Sequence, residues 1–234
     1  MPCGTVPKGD CILSQINSTR HGCKDVFHAF LVKNATYSGE REIPCLQKET
    51  AVPEKLVLFS KAISSKEYDG WICFYEDDVS FERLWNNPQR YLPILKRFSG
   101  VISPDFSVYR DMPLVMQEWN IYRSRALAHW LRQNGVRVIP NIRWGDERTY
   151  ELCCTGISDG GTIAIGSHGC IKLLQEREPF KKGLDYVVGQ LHPDTIVVYG
   201  KAPDSIFERY RESGISVKQF ESGFAIAHRK AVSE

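Results

Sequence analysis

Residues 161–200 read GTIAIGSHGCIKLLQEREPFKKGLDYVVGQLHPDTIVVYG. A β-branched run, GTIAIG (161–166), is followed by a helical pattern and then by a second such run, DTIVVYG (194–200). Over 170–191, Ile171, Leu174, Phe180, Leu184, Val187, Val188 and Leu191 return at helical spacing and mark the buried side of a helix. Pro179 is expected to break or kink it. Strands alternating with helical stretches argue for parallel pairing, because parallel neighbours need a crossover connection.

The same rhythm extends upstream and downstream. Further strand runs are KLVLFS (55–60), GWICFY (70–75), SGVISP (99–104), VRVIPNIRW (136–144) and ISVKQF (215–220). A helix is expected from about Pro113 to Asn134, capped by Asp111, with Trp119, Ala126, Leu127, Trp130 and Leu131 as its apolar stripe and Asn134–Gly135 as its left-handed exit. Another starts at Pro203 and stops at Gly214, and residues 79–98 read as two short helices broken near Asn87–Pro88. Seven strands with interleaved helices fit an α/β fold of the (β/α) barrel type, whole or incomplete. No Gly-rich dinucleotide or P-loop fingerprint follows the first strands to favour a doubly wound sheet. Residues 1–50 form an irregular, Cys-containing segment ahead of this 51–234 α/β domain.

Lys and Arg number 30 against 28 acidic residues, so a net charge of +2 predicts no general pull on nucleic acid or anionic lipid. No apolar run is long enough to span a bilayer, and the start, MPCGTVPKGDCILSQ, lacks the apolar core of a signal peptide. A cytoplasmic protein without membrane partners is expected. Its cysteines are then reduced, with Cys73, Cys153 and Cys154 as small buried hydrophobes.

In strand–helix folds ligands sit at the carboxyl ends of the strands. By that rule Asp105, Asn141, Arg143, Trp144, Asp146, Ser167 and Tyr199 share one rim. The densest cluster is NIRWGDE (141–147), where Arg143 beside Trp144 suits a phosphate, a carboxylate or a base. Between Asn120 and Arg148 lie six arginines, no lysine and two acids, a surplus of four positive charges. Arg outperforms Lys where a planar fork grips an oxyanion. Arg123 and Arg125 lie about 200° apart on their helix, so one can face a site while the other braces the core. The candidate set is therefore Asp105, Asp146 and Arg143 for catalysis, with Asn120, Arg123, Asn141, Trp144, Ser167 and Tyr199 for substrate binding.

Glu76, Asp78 and Asp105 could hold a divalent metal such as magnesium or manganese. The plainer reading makes Asp78 and Ser80 the cap of the following helix. Cys3, Cys11, Cys23 and Cys45 are separated by 7, 11 and 21 residues and lack zinc spacing. His21, Cys23 and His28 form a compact group that could take zinc, though such groups are more often incidental. His168–Gly169–Cys170 places a thiol beside an imidazole, but loop neighbours rarely reach the geometry of a Cys–His pair.

The blocks WNNPQRYLPILKRFSGVISPDFSVYRDMP (85–113), WNIYRSRALAHWL (119–131), VIPNIRWGDERTYELC (138–153), GTIAIGSHGC (161–170) and TIVVYG (195–200) resemble a bacterial and phage family described as a domain of unknown function. The resemblance covers about residues 25 to 222 and implies a setting in mobile elements and phages. It assigns no chemistry. From the residues, the expected function is an enzyme acting on a phosphate-bearing ligand, a nucleotide or nucleic acid, at the strand ends. The alternative is a non-catalytic binder that sequesters a nucleotide or docks on a host protein, for example as an anti-defence or regulatory accessory factor.

Overall fold

The structure, a computed structural model, describes residues 25–171 and 173–223. Cys3, Cys11, His21, Cys23 and the side chain of Leu174 lie outside the described residues. A short hairpin comes first, with β1 (Tyr37–Ser38) antiparallel to β2 (Ile43–Pro44). From residue 56 every expected strand is present and parallel to its neighbour. One sheet has β3 (Leu56–Leu58), β4 (Trp71–Cys73), β5 (Gly100–Ile102) and β6 (Val138–Ile139), in chain order. The second has β7 (Thr162–Gly166), β8 (Thr195–Tyr199) and β9 (Ser216–Phe220), also in chain order.

Helices fill the crossovers: α1 (Phe59–Ala62), α2 (Asp78–Asn86), α3 (Pro88–Leu95), α4 (Leu114–Gln133), α5 (Tyr150–Cys154), α6 (Leu174–Leu191) and α7 (Asp204–Glu212). A parallel bridge between Asn141 and Ala164 joins the two sheets; Ile142 N–H donates to the Ala164 carbonyl at 2.8 Å and Ala164 N–H to that of Pro140 at 2.9 Å. The inner strands β4 to β8 are buried on both faces, as parallel sheets covered by helices must be, whereas β3 and β9, at the sheet edges, are only partly buried. Side chains from all seven parallel strands, among them Leu56, Trp71, Ile102, Ile139, Ala164, Val197 and Phe220, meet in one apolar cluster. Among the described residues no hydrogen-bonded ladder joins β9 to β3, so the sheets do not close into a barrel through their backbones.

Several local expectations need correction. Helix α6 runs unbroken through Pro179, which lies in its second turn and forfeits a single amide donor. Asp111 does not cap α4; Pro113 occupies the cap position, with no side-chain bond. Asp78 begins α2 rather than capping it, and its carboxylate accepts from the Ser107 N–H (3.1 Å) and hydroxyl (2.8 Å) in the segment after β5. Trp119 leaves the α4 stripe and lies 44% exposed, stacked on Tyr122. The other four stripe residues are buried. The exit of α4 falls on Gly135, at φ +81°. Among the described residues no helix is long and apolar enough to cross a membrane.

Candidate functional site

The carboxyl ends of the strands bring together Tyr75 after β4, Asp105 after β5, Asn141 and Arg143 after β6, and Tyr199 at the end of β8. Asn141 is the hub. Its backbone is fixed by the sheet-joining bridge, by an N–H bond to Ser103 Oγ (2.8 Å), and by Arg125 Nη1 on its carbonyl (3.2 Å). Its side chain accepts from Tyr75 Oη (2.9 Å) and donates from Nδ2 to Asp105 Oδ1 (2.7 Å). Arg143 Nη1 stands 3.8 Å from Asp105 Oδ2. The Tyr75 and Tyr199 rings stack with centroids 4.6 Å apart, and Tyr199 Oη accepts from Gly223 N–H at 2.9 Å.

Charge in this region is held away from bulk water. Burial raises the Asp105 carboxyl above its ordinary value, even though Arg143 and the Asn141 hydrogen bond pull it down. Arg143 moves the other way: the Asp105 carboxylate strengthens its hold on its proton, against the cost of burial. The two partners thus feel the same attraction, but at Asp105 desolvation outweighs it. Burial also raises the Tyr75 phenol and the Cys170 thiol.

Beside this group opens a cavity of about 350 Å³. Arg143, Trp144, Arg110, His168, Glu176 and Phe180 contribute to its wall. Gly166 makes space there: a Cβ at this position would lie 3.1 Å from the Tyr75 ring and 3.6 Å from Arg143 Nη1. Trp144 is buried against Phe180, with ring centroids 5.5 Å apart, so it is a packed wall rather than an open stacking face. A Cβ on Gly183 would come 2.1 Å from the indole nitrogen, which explains a glycine in the middle of α6.

Four other candidates are engaged in bonds of their own. The Asp146 carboxylate caps the 3₁₀ turn Glu147–Thr149 and accepts from Arg148 Nε (2.9 Å) and Nη2 (2.8 Å). Hydrogen bonds from Arg148 hold it below its ordinary value. Arg123 donates to Glu82 (2.6 Å) and to Asn120 Oδ1 (2.7 Å), and Asn120 in turn donates to the Ser107 carbonyl (2.6 Å). Ser167 Oγ donates to the Lys201 carbonyl at 2.7 Å. Glu76, proposed with Asp78 and Asp105 as a metal ligand, accepts from Ser60 N–H at 2.9 Å. Among the described residues no group of three or more His, Cys, Asp and Glu side chains is placed to hold a metal. Cys170 Sγ contacts the His168 carbonyl (3.7 Å).

Tyr75, Arg110 and Glu176 are the site residues that sequence reasoning missed. Tyr75 ends the run GWICFY, where strand alternation puts it on the face of Trp71 and Cys73. Arg110 and Glu176 are 66 residues apart in sequence, and no local pattern pairs them.

The family described as "Domain of unknown function (DUF4417)" matches residues 35–221, which include every residue of this site. The chain belongs to this family. It is 33% identical over 188 residues to the "Gene 1 protein" of Mycobacterium phage D29, a match covering 79% of this chain and 68% of that protein. To the "Gene 1 protein" of Mycobacterium phage L5 it is 32% identical over 188 residues, covering 79% of this chain and 81% of that protein. No solved structure matches the DUF4417 chain.

Proposed function

We propose that the protein is an enzyme binding a phosphate-bearing ligand, a nucleotide or a nucleic-acid end, in the cavity beside Arg143. The seven parallel strands then act as an incomplete (β/α) barrel with its mouth at their carboxyl ends. The apolar cluster fed by all seven strands supports that reading. Arg143 is the anion contact, and Asp105 the general base.

The observation that carries the proposal is the loose pairing of Arg143. A charge-assisted N–H···O contact normally closes to about 2.7–2.9 Å, but this one stays at 3.8 Å. The guanidinium retains donors for a ligand oxyanion and remains 23% exposed on its side chain. Asp105, raised by burial, is suited to accept a proton nearer neutral pH than an exposed carboxylate would.

A second reading, a non-catalytic binder, draws support from the acids themselves. Asp146 is locked to Arg148, and Asp105 is already bonded to Asn141. The pocket would then sequester a nucleotide, or dock on a host protein in the cytoplasm of an infected cell. The phage origin of both relatives suits such an accessory factor.

Native mass spectrometry of gently purified protein tests both readings. Wild type is expected to carry a phosphate-bearing mass that Arg143→Ala loses while keeping its circular dichroism spectrum. Equal retained masses in the two proteins would end the proposal. In Asp105→Asn, an enzyme accumulates a substrate mass different from that of wild type, whereas a simple binder carries the same mass.

A further inference from the structure

The cavity that Arg143 lines also carries a second arginine–carboxylate pair of different character. Arg110, in the segment between β5 and α4, donates from Nη2 to Glu176 Oε1 at 2.5 Å, and Glu176 sits in the first turn of α6. Both residues line the cavity. Their side chains are 43% and 34% exposed, so the pair is largely solvated and contributes little to holding the fold. The backbone of Arg110 is steadied separately, its carbonyl accepting from Arg148 Nη2 at 3.0 Å, while Arg148 is itself tied to Asp146.

The two pairs therefore differ in which partner can leave. Asp105 is held by Asn141 and is 13% exposed on its side chain, so it cannot swing away from Arg143. Glu176 is bound to Arg110 through a solvated contact and stands on another element. An incoming oxyanion can take its place while Arg110 keeps a charge-assisted bond throughout. The exchange costs little, because one exposed ion pair replaces another. About 350 Å³ also lies within the usual range of small-molecule pockets, roughly 300–1,000 Å³, and exceeds the need of one phosphate group.

We infer that Glu176 occupies the position of a second anionic group, and that the cavity takes a ligand carrying two phosphate groups, one on Arg143 and the other on Arg110. The inference rests on the phosphate-binding reading of Arg143 and adds the ligand class and a second anion contact.

Isothermal titration calorimetry of the full chain with inorganic pyrophosphate and inorganic phosphate tests it. Wild type is expected to bind pyrophosphate at least tenfold more tightly than phosphate. Arg110→Ala removes that preference, while Arg143→Ala and the more conservative Arg143→Lys weaken both probes. Glu176→Gln tightens pyrophosphate binding several-fold, and that gain disappears when Arg110→Ala is added. Melting curves check that each variant is folded. If Arg110→Ala keeps the wild-type preference while Arg143→Ala loses binding, the two-phosphate inference fails and the Arg143 reading stands. If wild type binds neither probe, or Arg143→Ala binds both as wild type does, both fail.

Discussion

Arg123 and Arg143 have similar company, an asparagine and a carboxylate apiece, yet one network is closed and the other is open. Arg123 reaches Glu82 at 2.6 Å, gives Nε and Nη2 to Asn120, and lies 3.9 Å over the Phe106 ring. Its fork is spent on the fold. Arg143 has its carboxylate at 3.8 Å, and the nearby Asn141 side chain bonds Asp105 and Tyr75 instead. Residue type and local charge are nearly the same in the two regions. The number of donors left unfilled beside a cavity is what separates a bracing arginine from one available to a ligand.

Arg125 shows how far the bracing role can go, and it gives the largest expected effect. It is 1% exposed and donates to the carbonyls of Cys153 (2.5 Å) and Asn141 (3.2 Å), with Nε unpartnered among the described residues. Burial lowers its pKa to about 10, which still leaves it charged at neutral pH. Arg125→Ala strips two buried carbonyls of their donors and opens a void between α4, α5 and β6. A loss of about 3–5 kcal/mol is expected in urea denaturation. A loss below about 1 kcal/mol would show that this arginine is not the brace its burial indicates.

The next effect is smaller and tests the comparison directly. Arg123→Ala removes the Glu82 pair, the Asn120 bonds and the ring contact, for an expected loss of about 1–3 kcal/mol by denaturation. Pyrophosphate affinity should stay within twofold of wild type. If Arg123→Ala abolishes binding at little cost in stability, the closed and open networks have been assigned the wrong way round.

Much of the frame was legible in the sequence, because β-branched runs and helical spacing are local signals. All seven parallel strands and the α2–α3 break at Asn87–Pro88 are where those signals put them. The caps were less legible. Asp78 and Asp111 have the chemistry of caps, but Asp78 is drawn to Ser107, twenty-nine residues away, and a tertiary partner outweighs a local preference. The rim was legible as a place where polar side chains gather, since Asp105, Asn141, Arg143 and Tyr199 do converge. Which arginine is fully engaged and which is not was illegible, because that depends on Glu82, Phe106 and Asp105 arriving from other crossovers. Trp144 beside Arg143 read as a substrate-binding residue, and its burial depends on Phe180 and Gly183, also distant in sequence.

The smallest effect bears most closely on whether Arg143 is open. A carboxylate in a closed pair behaves like Glu49: burial raises its carboxyl, but the Arg137 bond and the amides of Ala51 and Thr50 outweigh this and hold it below its ordinary value. Asp105 ends above its own, because Arg143 is too distant to offset desolvation. The sign of the pH dependence follows. With the folded carboxyl raised, the native state binds the proton more tightly than the unfolded chain does. The benefit is fully present below the unfolded value near 3.8 and is lost as pH rises through the raised folded value. Asp105→Asn removes this titration. Melting temperatures of wild type relative to Asp105→Asn should therefore fall between pH 3.5 and 7, by a few degrees at most. If wild type instead gains on the variant as pH rises, attraction to Arg143 dominates, the pair is as closed as that of Arg123, and the open anion contact is lost with it.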